Sequence, residues 1–122
     1  MTSECPFCDS TDSVIEGKLL YARYDNYPVT EGHTLIIPYR HVDDYFESSH
    51  EEKIEIIEMI NNIKQMLDDK FSPDGYNIGI NSGEAAGQTV MHLHVHVIPR
   101  YRGDIDDPRG GVRGVIPSKQ KY

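Results

Sequence analysis

From His92 to Val97 the chain alternates imidazole and aliphatic side chains without a break: His92-Leu93-His94-Val95-His96-Val97, followed by Ile98. Alternation with a period of two is the signature of a β-strand that is buried on one face. It puts His92, His94 and His96 on one face and Leu93, Val95 and Val97 on the other, with successive same-face attachments about 6.6 Å apart. The aliphatic face demands a core to pack against, and the other face becomes a row of three imidazoles. Imidazole is a nucleophile, a proton-transfer group and a metal ligand near neutral pH. A solvated edge strand is the plain alternative, but three of the chain's six histidines fall within these five residues.

The rest of the sequence sets bounds. The 122 residues suffice for one domain with a real core. No apolar run reaches membrane-spanning length, and the polar, acidic N-terminus lacks a signal-peptide pattern, so the expected address is cytoplasmic. A net charge of −8 argues against general binding to nucleic acid or anionic membranes. The charge is uneven: residues 100–122 carry +3, which leaves −11 for residues 1–99. That basic C-terminal tail suits a phosphate-bearing small molecule, or is simply a solvated terminus.

Several elements are legible. Leu19–Tyr24 reads as a strand ending at Asp25-Asn26-Tyr27-Pro28, and Thr34–Ile37 as a short buried strand stopped by Pro38. Residues 49–70 read as a helix capped by Ser48 or Ser49, with Glu51 and Glu52 as capping-box partners. Its apolar stripe is Ile56, Met59, Ile60, Ile63, Met66 and Leu67, with the acidic residues between them facing water. His50, in its first turn, is expected at the surface. Tyr76–Asn81 reads as another strand, with Ile78 and Ile80 on one side. The predicted architecture is α+β: an antiparallel sheet, the histidine strand central, and one long helix packed across it.

Between Asn81 and the histidines lies the small-residue loop Ser82-Gly83-Glu84-Ala85-Ala86-Gly87, followed by Gln88 and Thr89. Glycine permits close backbone approach to a ligand, and an amide and a hydroxyl suit phosphate oxygens. Beside three imidazoles, this loop suggests a site for anionic oxygens.

The segment Gly87-Gln88-Thr89-Val90-Met91-His92-Leu93-His94-Val95-His96-Val97-Ile98-Pro99-Arg100 resembles the signature of the histidine triad (HIT) family of nucleotidyl hydrolases and transferases. Gly32-His33-Thr34-Leu35-Ile36-Ile37-Pro38 resembles the family's preceding strand, and Asn81 stands eleven residues before the first triad histidine, where the family has an asparagine. The form is most similar to the branch that cleaves diadenosine polyphosphates. The resemblance implies that His94 is the nucleophile, attacking an α-phosphorus to form a nucleotidyl-histidine that water releases. It implies donors to the phosphate oxygens from His96, Gln88 and Thr89, and His33 orienting the triad. Asp25 would accept ribose hydroxyls, Asn81 would contact the nucleotide, and Tyr24 and Ile37 would border the base. Members usually pair as homodimers, and Tyr76–Ile80 with the helix stripe would make that interface. The resemblance leaves open phosphorolysis or nucleotidyl transfer, a nucleotide-binding module without turnover, and a zinc-binding structural protein.

Cys5-Pro6-Phe7-Cys8 holds the only cysteines. The spacing suits half of a four-ligand zinc site completed by two histidines, with His41 and His92 as candidates. Zinc-bearing members of the superfamily match this arrangement: their second pair is a histidine just after the Ile-Pro strand and the first triad histidine. Residues 1–12 would then be a zinc-binding N-terminal segment. A redox dithiol would want an apolar helical stripe after Cys8, and Asp9–Ser13 offers none. A disulfide suits an oxidising compartment better than the cytoplasm. The tail, with Arg109 and Arg113 among glycines, is expected to be neither helix nor central strand and to fold over the site toward distal phosphates.

Overall fold

A computed structural model describes residues 5–122. Five strands, β1 (Ile15–Glu16), β2 (Leu20–Tyr24), β3 (Thr34–Pro38), β4 (Gly75–Ile80) and β5 (Val95–Arg100), form one sheet in the order β1-β2-β3-β5-β4, every pair antiparallel. One helix, α1 (His50–Phe71), crosses one face. The α+β expectation is met. The central strand, however, is β3, and the histidine strand is its neighbour, covered in turn by the edge strand β4.

The strand also begins later than its alternation suggests. Only His96 lies within β5; His92 falls in a bend and His94 in the irregular chain just before the strand. The register pairs Ile36 with Val95, so Leu93 would next meet Pro38. Proline has no N–H to donate. Its carbonyl is taken by the His92 ring at 2.8 Å, and the Leu93 N–H turns instead to the Val42 carbonyl at 2.8 Å. The alternation of faces nevertheless survives: Leu93, Val95 and Val97 are buried against the helix side.

Helix α1 starts where its cap demands. The Ser49 hydroxyl accepts the Glu52 N–H at 3.0 Å and the Glu52 carboxylate accepts the Ser49 N–H at 2.8 Å, a reciprocal capping box. It ends at Ser72, in left-handed conformation at φ 50°. Ile56, Met59, Ile63 and Leu67 pack onto Leu20, Ala22, Ile36, Leu93, Val95 and Val97. Full burial of each such aliphatic side chain contributes about 1.5–3 kcal/mol. Two acidic residues depart from the expected wet face. Glu52 is buried, and Arg40 clamps it with Nη2 at 2.8 Å and Nε at 3.3 Å. Burial alone would push its carboxyl up, but the Arg40 and Ser49 hydrogen bonds outweigh that and hold it below the usual range. Glu55 accepts the N–H groups of Leu19 and Leu20 at 2.9 and 3.1 Å, tying the helix to the start of β2.

The opposite face of the sheet is formed by Tyr21, Leu35 and Ile37, with Phe7 packed against them. The Tyr21 hydroxyl donates to the Phe7 carbonyl at 2.6 Å, which anchors the N-terminal segment on this face. His96 shares the face, because Arg23, Leu35 and His96 are consecutive partners across β2, β3 and β5. Among the described residues no helix is long and apolar enough to cross a membrane.

Candidate active site and metal centre

The sheet face opposite α1 carries a cavity of about 510 Å³. Its lining includes Phe7, Arg23, Asp25, Asn26, Leu35, Asn81, Gly87, Thr89, His94 and His96. The expected residues Asp25, Asn81, Thr89, His94 and His96 thus meet around one space. Four strands and one loop deliver the lining, β4 running on to Asn81. β2 carries Arg23 and runs on to Asp25, β3 carries Leu35, and β5 with its lead-in carries the histidines. The 82–91 loop closes with Gly87 at φ 95°, a left-handed conformation that favours glycine.

The hydrogen bonds fix which nitrogen of each ring holds its proton. The Val29 N–H donates to His33 Nδ1 at 3.0 Å, so that nitrogen is unprotonated and His33 Nε2 carries the hydrogen. His33 Nε2 donates to His96 Nδ1 at 2.9 Å, with Asp25 Oδ2 also 3.5 Å away. His96 therefore keeps its proton on Nε2. His94 Nδ1 lies 2.9 Å from the His92 carbonyl, which only accepts, so Nδ1 is the protonated nitrogen and Nε2 has the lone pair. One imidazole is left with a nucleophilic nitrogen and its neighbour, 5.1 Å away between ring centroids, with an N–H donor. Burial, reinforced by the neighbouring His94 and His33 and opposed by Asp25, lowers His96 to about 4. Burial also lowers His33, against the pull of Asp25. Both are neutral at neutral pH.

Some expected residues sit elsewhere. Gln88 is buried, but its amide serves the loop: Oε1 accepts the Gly83 N–H at 2.8 Å, and Nε2 donates to the Asp43 and Val90 carbonyls at 2.6 and 3.1 Å. Those bonds employ the side chain in shaping the loop, away from the cavity. Tyr24 is on the helix side of the sheet, packed on that core and 3.4 Å from Lys70 Nζ. Ile37 is on the site face but fully buried under Phe7 and beside Tyr21. The apolar surface of the cavity comes from Phe7 and Leu35 instead. Strict alternation along β2 and β3 puts Arg23 and Leu35, rather than Tyr24, on the histidine face. Phe7 was concealed between the two cysteines.

In the tail, Gly111–Val115 and Pro117–Lys119 form short 3-10 helices, where no helix was expected among the glycines. Arg113 donates to the Gln120 and Lys119 carbonyls at 3.3 and 3.0 Å and lies 4.6 Å over the Tyr122 ring. Its guanidinium organises the tail itself, against the expectation that it reaches toward a substrate.

Below the cavity, Cys5, Cys8, His41 and His92 bring their ligand atoms within 4.8 Å of one another. Cys5 Sγ and His92 Nδ1 are 3.2 Å apart, Cys8 Sγ and His41 Nδ1 3.2 Å, and Cys8 Sγ and His92 Nδ1 3.5 Å. A tetrahedral zinc with bonds of about 2.0–2.3 Å has sulfur–nitrogen edges of roughly 3.5 Å, close to these separations. The His92 Nε2–H donates to Pro38 O, which turns an unprotonated Nδ1 toward both sulfurs. Burial also pushes His92 down, toward the neutral form a metal needs. Both thiols are free, and this donor set could hold a metal ion. Phe7, between the cysteines, sets its ring edge-on to His94, with centroids 4.8 Å apart.

The HIT domain profile matches residues 9–103. An uncharacterized HIT-like protein of Methanocaldococcus jannaschii is 38% identical over 106 residues, 82% of this chain and 81% of that protein. An AP-4-A phosphorylase of Mycobacterium tuberculosis is 37% identical over 92 residues, 75% of this chain but 47% of that protein. An asymmetrical bis(5'-nucleosyl)-tetraphosphatase of Schizosaccharomyces pombe is 38% identical over 80 residues, 66% of this chain and 44% of that protein. The chain thus spans about half the length of these two named enzymes. Among solved structures, a Zn-bound histidine triad family protein from Mycobacterium smegmatis superposes with a TM-score of 0.75 at 34% identity, covering 82% of this chain and 77% of that one. With its profile match, its relatives and its three-histidine site, the chain belongs to the HIT family.

Proposed function

We propose that this protein cleaves dinucleoside polyphosphates or related nucleotide anhydrides and phosphoramidates through a nucleotidyl-histidine intermediate. The observation that carries the reading is the proton arrangement of the rings: His94 with its lone pair on Nε2, and His96 with a hydrogen on its own Nε2. His94 Nε2 attacks the α-phosphorus, forming a P–N bond as the P–O bond to the distal polyphosphate breaks. His96 Nε2–H and groups at Thr89 stabilise charge on the equatorial oxygens. Water then attacks the same phosphorus, the P–N electrons return to His94, and the water proton leaves to solvent. The products are a nucleoside monophosphate and the remaining polyphosphate. Asp25 is assigned to the ribose and Asn81 to the nucleotide, while Gln88 holds the loop.

Phosphate as second acceptor is the alternative outcome of the same chemistry, favoured by the name of the mycobacterial relative. Incubation with diadenosine tetraphosphate, with and without phosphate, separates them. AMP with ATP marks hydrolysis, ADP with ATP marks phosphorolysis, and no products would leave only a binding role.

The metal reading is zinc in a structural role, held by Cys5, Cys8, His41 and His92, in a cytoplasmic protein whose thiols stay reduced. Its chemistry would be to fix the N-terminal segment, and with it Phe7, against the core. The assembly reading is a homodimer. It is supported by the edge position of β4 and the exposure of Ile78, Ile80 and Ile57 on the helix side; the expected helix stripe of Ile56, Met59, Ile63 and Leu67 is instead buried in the chain's own core. Sedimentation equilibrium of wild type and Ile80→Glu tests it, the charged variant being expected to be monomeric.

A further inference from the structure

Arg23 is unusual company for a nucleotide cavity. Its side chain is only 8% exposed, and it lines the same space as His94. A buried guanidinium is ordinarily matched by a close carboxylate, since an unpaired charge is costly to bury. The nearest one here belongs to Asp12, 3.9 Å from Nη2 and itself 75% exposed. Two neutral groups hold the guanidinium instead. Nη2 donates to Asn26 Oδ1 at 2.9 Å, and Nε donates to the Tyr24 carbonyl at 3.3 Å. Nη1 has no acceptor among the described residues. A rigidly held donor edge therefore remains for something that enters the cavity.

The sheet register says how far that edge is from the chemistry. Arg23 pairs with Leu35, and Leu35 pairs with His96, so Arg23 and His96 stand two strands apart on one face. That is roughly 10 Å between their backbones. Leu35 floors the interval, the Phe7 ring stands on one side, and Asp25 follows two residues after Arg23. A nucleotide with its α-phosphate at His94 and its ribose at Asp25 lays its base over Leu35 and turns the base edge to Arg23.

Resting on the nucleotide reading above, we propose that Arg23, braced by Asn26, makes the site selective for a 6-oxopurine nucleotide, guanosine in preference to adenosine. Guanine presents O6 and N7 as adjacent acceptors, which the planar Arg fork meets in pairs. Adenine presents an N6 amino donor in place of O6. Two donors facing each other in a buried cavity leave both unsatisfied. The favoured dinucleoside polyphosphate would accordingly carry guanosine on the phosphorus that His94 attacks.

Calorimetric titration with GMP, IMP and AMP tests this without any variant. GMP is expected to bind at least about tenfold tighter than AMP, the lower part of the range for one bidentate pair. IMP keeps O6 and N7 but lacks the 2-amino group, and should bind within about threefold of GMP. In Arg23→Leu and Arg23→Lys the GMP-to-AMP ratio should collapse toward one, with an intermediate ratio in Asn26→Ala, where the fork loses its brace. Comparable GMP and AMP affinities in the wild type would overturn the selectivity while leaving the nucleotide reading intact. So would full discrimination retained by Arg23→Leu, or IMP binding no better than AMP. Failure of all three monophosphates to bind would remove the nucleotide reading, and this proposal with it.

Discussion

Replacing His33 tests the proton arrangement on which the chemistry depends. His33 is 2% exposed and is placed one ring behind His96. Its Nε2–H is what forces the His96 proton onto the cavity-side nitrogen. In His33→Phe that constraint goes, and His96 can present a lone pair to a phosphate oxygen instead of a donor. Loss of one donor to a developing oxyanion lowers kcat by about 10²–10³-fold. The structural cost is smaller. Phenylalanine fills similar space, and the bond lost from the Val29 N–H, beside an exposed side chain, can be replaced by water. One or two lost hydrogen bonds amount to about 1–2 kcal/mol, or roughly 4–8 °C in Tm for a chain of this size. Steady-state cleavage of a dinucleoside tetraphosphate and a circular dichroism melt measure the two effects separately. His33→Gln, which keeps an N–H donor, should recover part of kcat. A His33→Phe protein with kcat within about threefold of wild type would refute the relay. A melt lowered by more than about 15 °C would show that His33 acts chiefly as core.

Three further outcomes are expected. His94→Asn should lower kcat by at least about a thousandfold while nucleotide still binds in a titration, because only the covalent step requires that lone pair. Protein purified without chelator should carry about one zinc per chain by elemental analysis. Cys5→Ser should lower Tm more than it lowers the single-turnover cleavage rate, and metal-free reduced wild type would count against the site. Thermal stability should fall as pH drops from about 6.5 toward 4. His33 and His96 both have folded-state values below the ordinary histidine range, His96 at about 4, so the unfolded chain takes up more protons in that window. A series of melts between pH 7.5 and 4.5 that stayed flat would contradict this, and His96→Asn should show a shallower decline.

The sequence announced what was periodic or capped. Alternation alone places Leu93, Val95 and Val97 in the core, and the Ser48/Ser49 and Glu51/Glu52 pattern marks the start of the helix to within one residue, the structure using Ser49 with Glu52. Spacing and family likeness name the four metal-ligand candidates and, of the cavity lining, Asp25, Asn81, Thr89, His94 and His96. What was not legible depends on partners distant in sequence. Pro38 cuts the ladder beside Leu93, so His92 and His94 precede the strand rather than belong to it. Glu52 is buried because Arg40 meets it, which helix periodicity cannot express. Gln88 looks like a phosphate donor until the carbonyls of Asp43 and Val90 are seen to claim it. Tyr24, which the family likeness assigns to the base, falls on the other side of the pleat from Arg23, as the period of two requires.

The contact between Cys5 and His92 also has a consequence for how the protein is made. The two residues are 87 positions apart, and Phe7 reaches His94 over the same span. During synthesis, at about 5–20 residues per second, the N-terminal segment emerges seconds before His41 and longer still before His92 and His94. Helix α1 and the β2–β3 hairpin can form locally in that interval and offer His41 and Tyr21 to the N-terminal segment, but the fourth ligand, His92, is still missing. Closing so long a loop has a high entropy penalty until the lead-in to β5 is in place. The metal centre and the cavity wall are therefore among the last parts to assemble. A nascent chain stalled before residue 92 would carry both thiols without the His92 ring that lies 3.2 and 3.5 Å from them in the finished protein.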